Sequence, residues 1–290
     1  MRTGSSLGGI GFMLAAVSIY ATLNLVVKGL AVGHAAAQLV FFRQALALPV
    51  IALAFAFSGG PAALRTRNLR LHVLRGMLGM LGTAGIFYGL GHLPLADAVS
   101  IAFTAPLFTT ALALPLLGEP VGARRWGAVL LGLAGALVII RPGSTVFQPA
   151  ALVVVGACLL LAVHVLVGRR LSREESSVTI TFYYALGSSV LAALALPFDW
   201  QPVASGEWPL LLILGLLNGV GLLFLTEAFR RAPAAVLAPF DYLHLLYATA
   251  FGYLLWNEIP AWNVYLGAAI VIAAGLANLQ FEVAGVRRAN

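Results

Sequence analysis

Of 290 residues, 61% are apolar and 9% are charged, whereas a water-soluble domain carries about a quarter Asp, Glu, Lys and Arg, so a soluble globular fold is excluded. The lone Cys158 rules out an intrachain disulfide and any cysteine-built metal cluster. The net charge of +7 rests almost wholly on arginine, Lys28 being the one lysine, and its placement decides between nucleic acid and membrane as partner.

Apolar runs of roughly 18 to 23 residues, the length of helix that crosses about 30 Å of hydrocarbon, fall near 7–28, 36–57, 71–91, 96–117, 122–140, 150–169, 178–197, 208–229, 234–256 and 262–281. These ten predict an all-α integral membrane protein. The breaks between them carry turn chemistry or charge, as in SGGPAALRTRN at 58–68, GEPVGARR at 118–125, RRLSREESS at 169–177 and NEIPAW at 257–262. None exceeds about a dozen residues, so function is expected within the bundle. The first span has the basic start and apolar core of a signal peptide, but its loss would spoil the repeat described below, and it is expected to be retained.

Cytoplasmic loops keep arginine and lysine. With the N-terminus inside, Arg2, Arg65, Arg67, Arg70, Arg75, Arg124, Arg125, Arg169, Arg170, Arg173, Arg230, Arg231, Arg287 and Arg288 share one face against Lys28 and Arg141 on the other, and Arg43 lies within a span. Both termini are predicted to be cytoplasmic. The partner is then a lipid bilayer, and no nucleic acid is expected.

Sliding the chain on itself by 139 positions aligns 78–121 with 217–260 without a gap. Leu78, Gly82, Pro94, Ala96, Leu107, Thr110, Ala111, Leu116 and Glu119 meet Leu217, Gly221, Pro233, Ala235, Leu246, Thr249, Ala250, Leu255 and Glu258. Five spans per half, an odd number, force the second copy upside down. The predicted units are therefore two inverted five-helix repeats, 1–145 and 146–290. Inverted repeats belong to alternating-access transporters, whose solute site lies near the bilayer midplane between the halves.

The segment LRGMLGMLGTAGIFYGLGHLPLADAVSIAFTAPLFTTALALPLLGEPVGARRWGAVLLGLAGALVIIRPG, 74–143, resembles the EamA repeat of the drug/metabolite transporter superfamily, and a degenerate second copy runs from 238 to 280. The resemblance implies ten helices in two inverted halves and transport of small organic solutes across the bacterial inner membrane. Likeness to the YddG-type branch implies export of amino acids, aromatic ones especially. Other members of the family take up riboflavin or S-adenosylmethionine-like metabolites, and that alternative stays open.

Ionisable groups within spans are costly and usually face the bundle interior. Tyr20, Asn24 and Lys28 form a stripe on the first span, and Asp241 and His244 meet one turn apart on the ninth. Tyr20, Asn24, Tyr88, His164 and Tyr184 are expected to converge on one cavity, with Asp241 and His244 on its cytoplasmic side. Arg43, in VFFRQAL, is expected to grip a carboxylate or phosphate of the solute. Its competing role is to cap the carbonyls of a broken neighbouring helix. Glu227 is expected to pair locally with Arg230 and Arg231, and Glu119 and Glu258 to cap the helices that follow them. The glycines at 76, 79, 82, 85 and 89, those at 127, 132 and 135, and Gly267 and Gly275 read as close-packing faces, and Pro106, Pro115 and Pro239 as kinks.

No His-Glu-x-x-His or Gly-x-Ser-x-Gly pattern supports an intramembrane enzyme. Haem held by His164 and His244, or retinal on Lys28, is disfavoured by placement, so no cofactor and no metal are expected. A passive metabolite channel is the competing class; it would lack saturation and counterflow. A monomer is the expected state.

Overall fold

The computed structural model describes residues 3–56, 66–118, 122–142, 147–232 and 234–289; Arg2, Arg65, Glu119 and Pro233 therefore lie outside the described residues. In chain order the helices are α1 (Thr3–Leu30), α2 (Ala36–Ala45), α3 (Leu48–Ala56), α4 (Leu69–His92), α5 (Leu95–Ala102), α6 (Ala105–Leu117), α7 (Ala123–Ile140), α8 (Ala150–Leu171), α9 (Ser177–Ala195), α10 (Trp208–Arg231), α11 (Ala234–Asp241), α12 (Leu243–Trp256) and α13 (Trp262–Ala289). Hydrocarbon offers the backbone no partners, so the polar groups must be satisfied within the helices themselves. Among the described residues, nine segments are long and apolar enough to cross a membrane. The stretch expected as the ninth of ten spans runs as α11 and α12 on either side of Tyr242, just as the fourth runs as α5 and α6.

The 139-residue offset recurs in three dimensions. Leu95–Ala102 and Ala234–Asp241, equivalent by the offset, are each a short helix that stops and restarts after a one- or two-residue break. The second pieces both end on a left-handed residue, Gly118 at φ 69° and Asn257 at φ 53°. Their N–H groups close on equivalent carbonyls, Ala113 and Leu114 in one copy and Gly252 and Tyr253 in the other. Helix pairing has the same symmetry: α1 packs along α10 as α8 packs along α4, while α2 meets α9, α5 meets α12 and α7 meets α13. The equivalent elements run in opposite directions, since Glu258, just past the end of α12, accepts the N–H of Leu95 at the start of α5 at 2.8 Å. Glu258 thus caps a helix of the other repeat, not the one that follows it as expected, because α13 begins only at Trp262.

Close packing explains most of the glycines. A Cβ on Gly76 would come within 3.2 Å of the Gly187 backbone, and one on Gly135 within 2.9 Å of the Gly267 carbonyl. These pairs let α4 approach α9 and α7 approach α13 backbone to backbone. Gly127 is an exception, with open space where a side chain would stand. Glu227 pairs with Arg230 at 2.9 Å and Arg231 at 2.6 Å, the local cluster expected from their spacing.

On the arginine-rich face, the turn between α8 and α9 is tied to the start of α4. His72 Nε2 meets Glu175 Oε2 at 2.6 Å, the hydroxyl of Thr66 and the amide of Asn68 donate to Glu175, and the Tyr183 ring stacks on His72 at 4.6 Å. Burial pushes the Glu175 carboxyl up, but the hydrogen bonds from Thr66, His72 and Asn68 outweigh it and hold the group below its ordinary value. A depressed carboxylate contributes stability that is present above its unfolded pKa and lost as pH falls through its folded one. Glu175→Gln is therefore expected to lower neutral-pH stability by about 1–3 kcal/mol, the worth of charged hydrogen bonds, and to flatten the acid limb of a thermal-shift profile in detergent. An unchanged acid limb would show that the network contributes nothing.

Candidate functional site

The two helix breaks create the site. In the bundle centre α5 ends at Ala102, and Thr104 turns its hydroxyl back to the Ile101 carbonyl at 2.8 Å, while the Cys158 thiol lies 3.7 Å from the carbonyls of Ile101 and Ala102. Groups freed by the break are thus satisfied inside the protein, the condition for irregular backbone at membrane depth. Pro106 lies four residues after Ala102, where its ring would clash with that carbonyl in a continuous helix.

Beside these breaks lies a cavity of about 350 Å³, bounded by Tyr20 and Asn24 of α1, apolar side chains of α4 and α5, Ala105 and Pro106 of α6, and Asp241 and His244. That volume falls in the range of about 300–1,000 Å³ typical of small-molecule sites. Asp241 Oδ1 stands 3.6 Å from His244 Nε2, and the carboxylate side chain is half exposed, facing cavity space and not packed protein. His244 Nδ1 is buried without a hydrogen-bond partner, and among the described residues the Asn24 amide has no side-chain hydrogen bond. By the 139-residue offset Ala102 is the counterpart of Asp241 and Ala105 that of His244, and all four line this cavity. Its charged chemistry therefore comes from one repeat, and the other supplies room.

A second cavity, of about 330 Å³, opens toward the arginine-rich face between α6, α7, α8, α11 and α13. Its lining includes Thr110, Arg125, Arg169 and Asn278, and it shares Phe103, Ala105, Pro106 and Asp241 with the first. Asn278 donates to the Thr110 hydroxyl at 2.7 Å and accepts from Arg125 Nε at 3.3 Å. Asp241 thus touches both spaces.

Tyr20, Asn24, Asp241 and His244 line one cavity; Arg43, Tyr88, His164 and Tyr184 are in the lining of neither, although Arg43 and Tyr184 lie within electrostatic reach of Tyr20. Arg43 donates from Nε to Asn218 Oδ1 at 2.9 Å and lies over the Phe87 ring at 5.4 Å. Asn218, on α10, also donates to Gln44 Oε1 at 3.0 Å. In this structure Arg43 thus meets an amide and a ring. His164 donates from Nδ1 to the Arg75 carbonyl at 3.0 Å and meets the Tyr184 ring at 4.7 Å, and Arg75 lies over Tyr184 at 5.0 Å. A Cβ on Gly79 would strike both rings. His164 and Tyr184 thus form an interlock between α4, α8 and α9. Tyr88 is 41% exposed and stacks on His92 at 3.9 Å, so it looks outward. Lys28, third in the α1 stripe, is engaged by Glu258 at 2.8 Å and by the Leu93 carbonyl at 2.8 Å. Gly275, expected as a packing glycine, packs against the Tyr242 hydroxyl. The residues not foreseen are Asn218, Arg75, Phe103 and Tyr242. Only the offset could have singled out the last two, as equivalents of each other.

A solved crystal structure with 20% identity, covering 96% of both chains, superposes with a TM-score of 0.64 and shares the fold. The chain is 30% identical to an S-adenosylmethionine uptake transporter of Rickettsia felis over 93% of its length and 92% of the relative's. It is 29% identical to the pseudopaline exporter CntI of Pseudomonas aeruginosa, covering 92% and 95%. It is 32% identical to a riboflavin transporter of Rhizobium johnstonii, covering 97% and 93%. The EamA-like transporter family model matches twice, over residues 7–141 and 148–279. With broken helices that recur at a fixed offset, a cavity between the copies and two matches that span nearly the whole chain, this multi-pass protein of the bacterial inner membrane belongs to the EamA-like transporter family.

Proposed function

We propose that the chain is a secondary transporter, not an enzyme, and that it exports amino acids, aromatic ones foremost, and related metabolites by alternating access. It acts as a monomer of ten spans with both termini cytoplasmic, built from repeats 1–145 and 146–290. The observation that carries this reading is the central cavity, where one carboxylate and one imidazole stand in an otherwise largely apolar lining. An ammonium group suits Asp241, and a ring suits the wall of Ile86, Leu90 and Val99. Arg125 and Arg169 line the space toward the arginine-rich face, taken here as cytoplasmic, where they favour the carboxylate end of an entering solute.

Uptake of a riboflavin- or S-adenosylmethionine-like metabolite is the second reading, favoured by the identity to carriers of those names. S-adenosylmethionine also bears a carboxylate and cationic groups, so the same cavity chemistry suits it. The test is counterflow in proteoliposomes loaded in turn with aromatic amino acids, riboflavin and S-adenosylmethionine, with and without a pH gradient. Saturable counterflow of amino acids is expected. Counterflow of riboflavin or S-adenosylmethionine alone would favour the second reading, and flux without saturation or counterflow would make the protein a channel.

A further inference from the structure

Phe103 and Tyr242 occupy equivalent positions by the 139-residue offset. Phe103 follows the last residue of α5 at φ −66°, ψ −3°, and Tyr242 precedes the first of α12 at φ −67°, ψ −11°, so both rings are held on the same backbone conformation at the two helix breaks. Their centroids are 5.0 Å apart with the planes tilted by 41°. Two equivalent residues that touch each other must lie at the axis relating the two halves. Phe103 lines both cavities, Tyr242 lines the one toward the arginine-rich face, and the shared lining of Ala105, Pro106 and Asp241 surrounds them.

We propose that Phe103 and Tyr242 are the barrier of the transport path, a ring pair on the internal symmetry axis that separates the two cavities and parts when the breaks flex. An exchange of the two halves maps one ring onto the other, so a single pair serves both access states. Hinges that absorb backbone rotation sit at element ends, and here each ring is itself a hinge residue, so a small change at either break swings a large apolar group. The Tyr242 hydroxyl is seated against α13 where a Cβ on Gly275 would stand, so the ring is held in place until the break beside it moves. The inference rests on the transporter reading, but its test needs no solute.

The one native thiol, Cys158, is buried, and after Cys158→Ser a single reporter is introduced as Ala102→Cys in the first cavity or Thr109→Cys in the second. A membrane-impermeant methanethiosulfonate reagent is then applied to sealed membranes of each orientation. With both rings present, each reporter is expected to react from one membrane face only, Ala102→Cys and Thr109→Cys from opposite faces. With Phe103→Ala and Tyr242→Ala together, labelling from the previously silent face is expected to rise about tenfold or more as the barrier opens. Tyr242→Phe, which keeps the ring, should retain the restriction. Should the alanine pair aggregate in detergent, Phe103→Leu with Tyr242→Leu, nearer in volume, is read in the same way. The proposal is overturned if either reporter reacts equally from both faces with the rings intact, or if removing both rings leaves the restriction unchanged. Because accessibility is measured without any solute, a wrong substrate assignment leaves this outcome untouched.

Discussion

Asp241→Asn is expected to lower solute flux by about ten- to a hundredfold, the kinetic equivalent of the roughly 1.5–3 kcal/mol carried by a hydrogen bond to a charged group. The substitution keeps shape and volume and removes only the charge. Asp241 is half exposed, lines both cavities and faces His244 at 3.6 Å, so a solute passing between the two spaces must pass this carboxylate. Its counterpart Ala102 provides no substitute charge. Initial rates of counterflow, normalised to reconstituted protein, measure the effect. Amounts of protein in the membrane should stay at wild-type levels, because the replacing side chain fills the same space. Equal flux of every solute by wild type and Asp241→Asn would remove the residue from the path.

The second large effect is on stability. Lys28 is 6% exposed and holds Glu258 and the Leu93 carbonyl, each at 2.8 Å, with the Trp256 ring 5.4 Å away. Glu258 in turn caps α5 through Leu95 N–H. This cluster fastens the end of α1, the link from α4 to α5 and the end of α12 at the face opposite the arginines. Glu258→Gln removes the direct counter-charge of a buried ammonium and leaves it, among the described residues, only the more distant Asp97 within electrostatic reach. Breaking a buried pair costs about 3–5 kcal/mol, and the 23% exposure of Glu258 reduces that to about 2–3 kcal/mol. At about 2–4 °C per kcal/mol for a chain somewhat shorter than this one, the apparent unfolding temperature in detergent is expected to fall by several degrees. Lys28→Met with Glu258→Gln should recover part of the loss, because removing both charges relieves the stranded one. If the double variant is as unstable as the sum of the singles, the two side chains act independently and the ion pair is not the fastening.

Apolar run length was enough to read nearly every span, since in hydrocarbon a helix is the only open-ended solution to backbone hydrogen bonding. The offset of 139 was visible in the sequence and reappears as paired helix breaks and paired left-handed caps. The breaks themselves were hidden. Prolines were visible, but Pro106 explains only the interruption before α6; at Tyr242 the helix stops three residues after Pro239, where no ring clash demands it. Arg43 was conspicuous as a charge in a span, yet Asn218, which receives it, lies 175 residues away on an apolar helix with no motif around it. Tyr88 and Tyr20 are alike in sequence context, aromatic residues on apolar helices. Which of them faces a cavity is decided by neighbouring helices that no local pattern records.

The alanines at 102 and 105 bear on how such a carrier acquires new cargo. A hinge and a recognition surface normally share residues, so altering one damages the other. Here duplication has left one copy of the wall blank while the other carries Asp241 and His244, and neither alanine is itself a ring of the pair between the cavities. A lineage can therefore write a polar or bulky side chain onto the blank wall and change which solute fits while both rings of the pair are kept.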